Sequence, residues 1–207
     1  MKRVSKVSLL VALSVWLLAG WSDPIHAEVL NFDAHWSGSF SRTGSDIDDD
    51  TGDGTGARAI VSDLNQRGSL GHSTVRVVSE TTTAPVGFFT SRCPSAPYFV
   101  EFTYLAHSSV TRMHATGDLI YTLLDGGHLC LDPGSRRFIF TVDVSVVGGT
   151  GRFATATGGG TASGGGVILL LDSDGAPAFG SLDGDTTLDI VVPDGESLSA
   201  PREFGYR

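Results

Sequence analysis

Five carboxylates crowd one short stretch, Asp46-Ile47-Asp48-Asp49-Asp50-Thr51-Gly52-Asp53-Gly54. Calcium takes roughly six to eight oxygen ligands, and spaced carboxylates in a glycine-containing loop can supply them. Asp46, Asp48 and Asp50 match the first three ligand positions of an EF-hand loop. The match ends at Thr51, where the turn glycine belongs, and at Ala57, where the bidentate glutamate belongs. A solvated Asp/Gly hairpin loop has the same composition, so both readings stand. Asp46, Asp48, Asp50 and Asp53 are the candidate calcium ligands, and no other cofactor motif is evident.

Cys93 and Cys130 are the only cysteines. In an exported chain such a pair reads first as a disulfide. Closing a loop of this size stabilises a fold by roughly 3–4 kcal/mol on the chain-entropy argument. The alternative is a cysteine nucleophile with His128 as its base, two positions from Cys130 and on the same face of an extended strand. An oxidising compartment would silence that thiol. His35, His72, His107 and His114 form no metal-binding doublet, and no G-x-S-x-G elbow is present. No catalytic residue is assigned.

The amino terminus explains the compartment. Lys2, Arg3 and Lys6 precede an apolar run over residues 7–18, too short for a spanning helix of about 20 residues. Residues 1–27 therefore read as a secretory signal with a small residue, Ala27, at the cleavage site and Gly20 as another candidate; an uncleaved anchor is the alternative. Secretion or delivery to a periplasm follows, with no membrane span left after cleavage. Removing Lys2, Arg3, Lys6 and Asp23 takes 14 basic and 23 acidic side chains to 11 and 22, a net charge of −11. No lysine remains, which excludes Schiff-base chemistry, and the acidic balance argues against nucleic acid.

The elements that must position these residues read as strands. Phe138, Phe140, Val142, Val144 and Val146 alternate with Ile139, Thr141, Asp143, Ser145 and Val147. Similar alternation marks residues 36–41, 73–79, 98–104 and 188–192, and an aromatic face over 98–104 could line a ligand cavity or be ordinary core. Residues 117–124 and 128–131 read as two strands, with Asp125-Gly126-Gly127 as a hairpin turn between them. Residues 167–171 are apolar on both faces, which predicts a strand covered on both sides. Gly158-Gly159-Gly160 and Gly164-Gly165-Gly166 permit tight bending and close backbone approach. They form no dinucleotide fingerprint.

After residue 147 the chain enters Gly148-Gly149-Thr150-Gly151-Arg152-Phe153-Ala154-Thr155-Ala156-Thr157-Gly158. The glycines supply backbone angles that a Cβ would penalise, so Gly148, Gly149, Thr150, Gly151 and Phe153 are read as a structural turn. This stretch resembles the signature of the allene oxide cyclase and dirigent barrels, including uncharacterised exported bacterial members. The resemblance implies a barrel and, by extension, a cavity that steers a reactive intermediate. No counterpart of those families' catalytic residues is found, so none is carried over.

These readings give an all-β chain, a single antiparallel β-barrel of about eight strands, with a β-sandwich as the alternative. The barrel domain spans 28–192 and a surface tail follows over 193–207. Such a barrel is expected to be non-enzymatic, binding a small apolar ligand or serving a structural role. The alternative is a cyclase- or dirigent-like barrel, with isomerase-type chemistry in an apolar cavity. Oligomeric state is not fixed by any residue pattern.

Overall fold

A computed structural model describes residues 27–43, 59–173 and 175–193. Nine strands run through it: β1 (Ala27–Arg42), β2 (Ile60–Gly68), β3 (Gly71–Thr81), β4 (Gly87–Phe88), β5 (Val100–Met113), β6 (Leu119–Asp132), β7 (Arg137–Gly149), β8 (Thr157–Leu171) and β9 (Pro177–Pro193). Eight of them pair in chain order, β1-β2-β3-β5-β6-β7-β8-β9, and every pairing is antiparallel. The last pairs with the first from Ala27↔Pro193 to Ser41↔Phe179, which closes the ring. This is an up-and-down barrel, not a sandwich. Closure leaves none of the eight strands with an open edge. The short β4 adds two residues beside the start of β5.

Alternation decides what faces inward. On β7, Phe138, Val142, Val144 and Val146 are buried while Ile139, Asp143 and Val147 are exposed. The lower end of the barrel is packed solid by Phe32, Met113, Ile120, Val146, Leu188 and Ile190. Phe153 joins that cluster from a 3-10 turn, Gly151–Phe153, between β7 and β8.

That turn is the glycine motif, and the structure gives each position a separate reason. Gly148 and Gly151 have φ of +128° and +55°, which disfavour side chains. Gly149 is not in that region; a Cβ there would overlap the carbonyl of Leu119. Close backbone approach, rather than dihedral freedom, demands this glycine. Phe153, buried to 2% exposure, plugs the lower end.

Three expectations need correction. Asp125-Gly126-Gly127 is no hairpin: β6 runs through it, with a bulge between Leu124 and Gly126 in its pairing with β7. The reversal comes later, over residues 133–136, where Asp132 accepts hydrogen bonds from Gly134 N (2.9 Å) and from the Ser135 hydroxyl. Glycines serve bulges as readily as turns, so the local pattern was ambiguous. Residues 167–171 are not covered on both faces: Ile168 is buried, but Leu169 and Leu170 are exposed. The strand expected over 98–104 starts at Val100 and runs on to Met113.

The expected signal over residues 1–27 lies outside the described residues except for Ala27, and the tail over 193–207 lies outside them after Pro193. No described helix is long and apolar enough to cross a membrane.

Candidate ligand-binding cavity

Above the packed lower end the barrel is hollow. The cavity measures about 610 Å³, within the range of roughly 300–1,000 Å³ typical of small-molecule sites. Its lining reaches the connections at one end, including residues 81–83, Pro133, Arg136 and residues 175–177, and stops short of Phe153 at the other. At the open end Arg42 is held by an ion pair to Asp172.

One arc of the wall is aromatic and aliphatic. It comprises Phe32, Trp36 and Phe40 on β1, Phe138, Phe140, Val142 and Val144 on β7, and Leu182 and Leu188 on β9. Trp36 and Phe140 stack with centroids 5.8 Å apart, Phe138 stacks on Phe140 at 6.4 Å, and Phe40 meets Phe138 edge-on at 5.9 Å. These rings fit because β8 and β9 present glycine beside them. A Cβ on Gly164 or Gly184 would come within 2.7 or 2.6 Å of the Trp36 ring, and one on Gly166 within 2.7 Å of the Phe138 ring. The glycine-rich strands therefore trade their own side chains for large rings from neighbouring strands.

The opposite arc, β2 to β6, carries the polar groups: Ser62, Gln66, Ser79, Tyr104, His107, Ser109, Thr111 and Thr122. Several are satisfied within the protein. Ser109 and Thr122 hydroxyls share a hydrogen bond of 2.6 Å, and Ser73 donates to Gln66 Oε1 at 3.1 Å. Between the neighbouring strands β1 and β9, Trp36 Nε1 donates to Thr186 Oγ1 at 3.0 Å.

Tyr104 and His107 sit at an irregular place in β5. The pairing with β3 skips from Glu80↔Ala106 to Thr81↔Tyr104, a bulge that lets residues three apart face the same cavity. Pairing with β6 is likewise registered only at residues 100–103 and 108–112. The two rings meet edge-on at 6.4 Å, and Tyr104 also packs edge-on against Phe140 at 6.2 Å. Gly127 makes room: a Cβ there would lie 3.2 Å from the Tyr104 ring. Burial pushes the His107 imidazole down to about 4 and raises the Tyr104 phenol. Both rings are neutral at pH 7.

Cys93 and Cys130 form a disulfide. The bond ties the β3–β5 connection to the outside of β6, and Arg92 beside it reaches Glu101 at 3.5 Å. His128 has no thiol partner there; desolvation, then the nearby Arg92 cation, lowers its affinity for a proton. The calcium candidates Asp46, Asp48, Asp50 and Asp53 lie outside the described residues. Among the described residues no group of three or more His, Cys, Asp or Glu is placed to hold a metal.

Sequence reasoning brought Tyr104 to an aromatic face but passed over His107. Its signal was an alternation that changes parity, with Phe102 and Tyr104 inward at even positions and His107, Ser109 and Thr111 inward at odd ones. Only pairing with neighbouring strands reveals where parity shifts.

No family model and no curated protein sequence matches the chain. Among solved structures, a pterocarpan synthase dirigent protein is similar at 10% identity and a TM-score of 0.33, over 93% of this chain and 99% of that one. A likeness this distant supports no statement about chemistry.

Proposed function

We propose that this barrel is an exported, non-enzymatic protein that binds one small apolar molecule inside its cavity. The observation that carries the reading is a hollow interior of about 610 Å³ whose depth holds no charged group at neutral pH. An apolar guest gains from leaving water, at roughly 25 cal/mol per Å² of buried surface. A charged guest would meet a desolvation cost with nothing in the depth to offset it. The signal expected from the amino-terminal sequence, together with the disulfide, fits an oxidising compartment outside the cytoplasm.

Steering of a reactive intermediate is the second reading, motivated by the resemblance of residues 148–158 to the cyclase and dirigent signature. Buried charges facing the cavity would favour it. Glu80 and Glu101 are buried, but neither lines the cavity. Binding without turnover is therefore preferred.

The test is titration with N-phenyl-1-naphthylamine, an uncharged fluorophore. Trp36, the only tryptophan after residue 27, lines the cavity and serves as the energy donor. Saturable transfer from Trp36 at one probe per chain is expected, and Ala162→Phe, which fills the cavity, should weaken it. Absence of saturable binding to folded protein would overturn the reading.

A further inference from the structure

We propose that the cavity selects a flat, uncharged molecule bearing one carbonyl or hydroxyl group, and that Tyr104 and His107 are the residues that read that group. The inference rests on the binding role proposed above and adds the chemical class of the guest.

The first ground is an imbalance in hydrogen bonding. A polar side-chain atom that faces a cavity without a protein partner is open to a hydrogen bond with water or with a guest. On this wall Ser109 bonds to Thr122, and Gln66 receives a bond from Ser73. The Tyr104 hydroxyl and the His107 ring nitrogens hydrogen-bond to no described residue, although both side chains line the cavity. Each offers a complementary edge. A guest carbonyl accepts from the Tyr104 O–H or the His107 N–H, and a guest hydroxyl can also donate to the unprotonated imidazole nitrogen.

The second ground is shape. Facing these two residues are near-parallel rings: Trp36 lies 22° from Phe140, and Phe138 lies 29° from it. Tyr104 contacts the same Phe140 ring edge-on. A wall of aromatic rings favours a flat guest, because a flat molecule laid against it places most of one face in contact.

The third ground is charge. Burial lowers the proton affinity of His107, so a charge is penalised here; of the two arginines in the lining, Arg42 is tied to Asp172 and Arg136 lies in the exposed connection at the open end. A carboxylate on the guest would find no free cation beside Tyr104 and His107. The discrimination should be steep, because a hydrocarbon guest would strip water from both side chains and leave their polar edges bare.

Near-isosteric naphthalenes, read by displacement of N-phenyl-1-naphthylamine, supply the test. The folded protein should bind 2-acetylnaphthalene about ten-fold or more tightly than 2-isopropylnaphthalene. The anion 2-naphthoate should bind more weakly than either, and 2-naphthol tells whether hydroxyl is read as well as carbonyl. Tyr104→Phe and His107→Leu should shrink the ketone preference to below about three-fold, by weakening the ketone and by tightening the hydrocarbon, which no longer strips water from those polar edges. Equal binding of ketone and hydrocarbon by the unaltered protein would overturn this inference and leave the binding role standing. So would tighter binding of the naphthoate. Failure of every naphthalene and of the fluorophore would overturn both. Each of these outcomes is read on the unaltered protein, so a variant that fails to fold does not block the test.

Discussion

Thr150 and Leu119 hold each other twice: Thr150 N donates to the Leu119 carbonyl at 2.9 Å, and Leu119 N donates to Thr150 Oγ1 at 2.9 Å. This clasp joins the turn after β7 to the start of β6 and seats Phe153 under the barrel. Thr150→Val keeps the shape and the backbone bond but loses the side-chain acceptor. A loss of about 1 kcal/mol in denaturant unfolding is expected. An unchanged midpoint would mean that water replaces the hydroxyl at no cost.

The neighbouring glycines should differ in kind. Gly149→Ala forces a Cβ onto the Leu119 carbonyl, and a loss of roughly 3 kcal/mol or more follows from displaced backbone. Gly151→Ala costs less, about 1–2 kcal/mol, because its Cβ would meet the movable Asp118 side chain and the main penalty is the left-handed φ. Melting of Gly149→Ala within a degree of the parent would show that β6 and β7 can separate there freely.

Removing the disulfide by the paired change Cys93→Ser and Cys130→Ser frees a loop spanning 37 positions. Stability should fall by roughly 3–4 kcal/mol on the chain-entropy estimate. Unreduced protein from an oxidising compartment should show no free thiol after unfolding. Two reactive thiols would overturn the assignment.

His107 gives a pH dependence with a definite sign. Its folded value of about 4 lies below the unfolded value, which is about 6.5. Between these values the unfolded chain binds a proton that the folded chain does not. The stability contribution is therefore complete above about 6.5, falls as pH drops toward 4, and is lost below that. The loss reaches at most about 3 kcal/mol, less where cavity water screens the ring. Tyr104, the titratable group in contact, stays neutral throughout, and the charged groups of the lining, Arg42 and Arg136, lie at the open end. His107→Leu should flatten this part of the stability curve; identical curves would show that His107 is hydrated as in the unfolded chain.

The acidic segment holding Asp46, Asp48, Asp50 and Asp53 belongs to the β1–β2 connection. Calcium and magnesium at equal ionic strength should raise the melting temperature alike, by screening a chain of net charge −9. A larger rise with calcium, abolished by Asp48→Asn with Asp50→Asn, would instead show a specific site.

Strands, the antiparallel barrel class, the pairing of two cysteines and the turn at residues 148–153 were legible in the order of residues, because each is written locally. Alternation along β7 is visible in the residue types, and so is a glycine turn. Strand pairing and side-chain volume controlled the rest. Asp125-Gly126-Gly127 became a bulge because β6 continues to pair with β7 on both sides of it. The glycines of β8 and β9 became space for Trp36 and Phe138, which are far away along the chain. Tyr104 and His107 came to share one cavity wall because a bulge in β5 shifted the parity of its alternation. Whether a barrel fills or stays hollow depends on the sum of side-chain volumes across all its strands, a quantity that no single stretch contains.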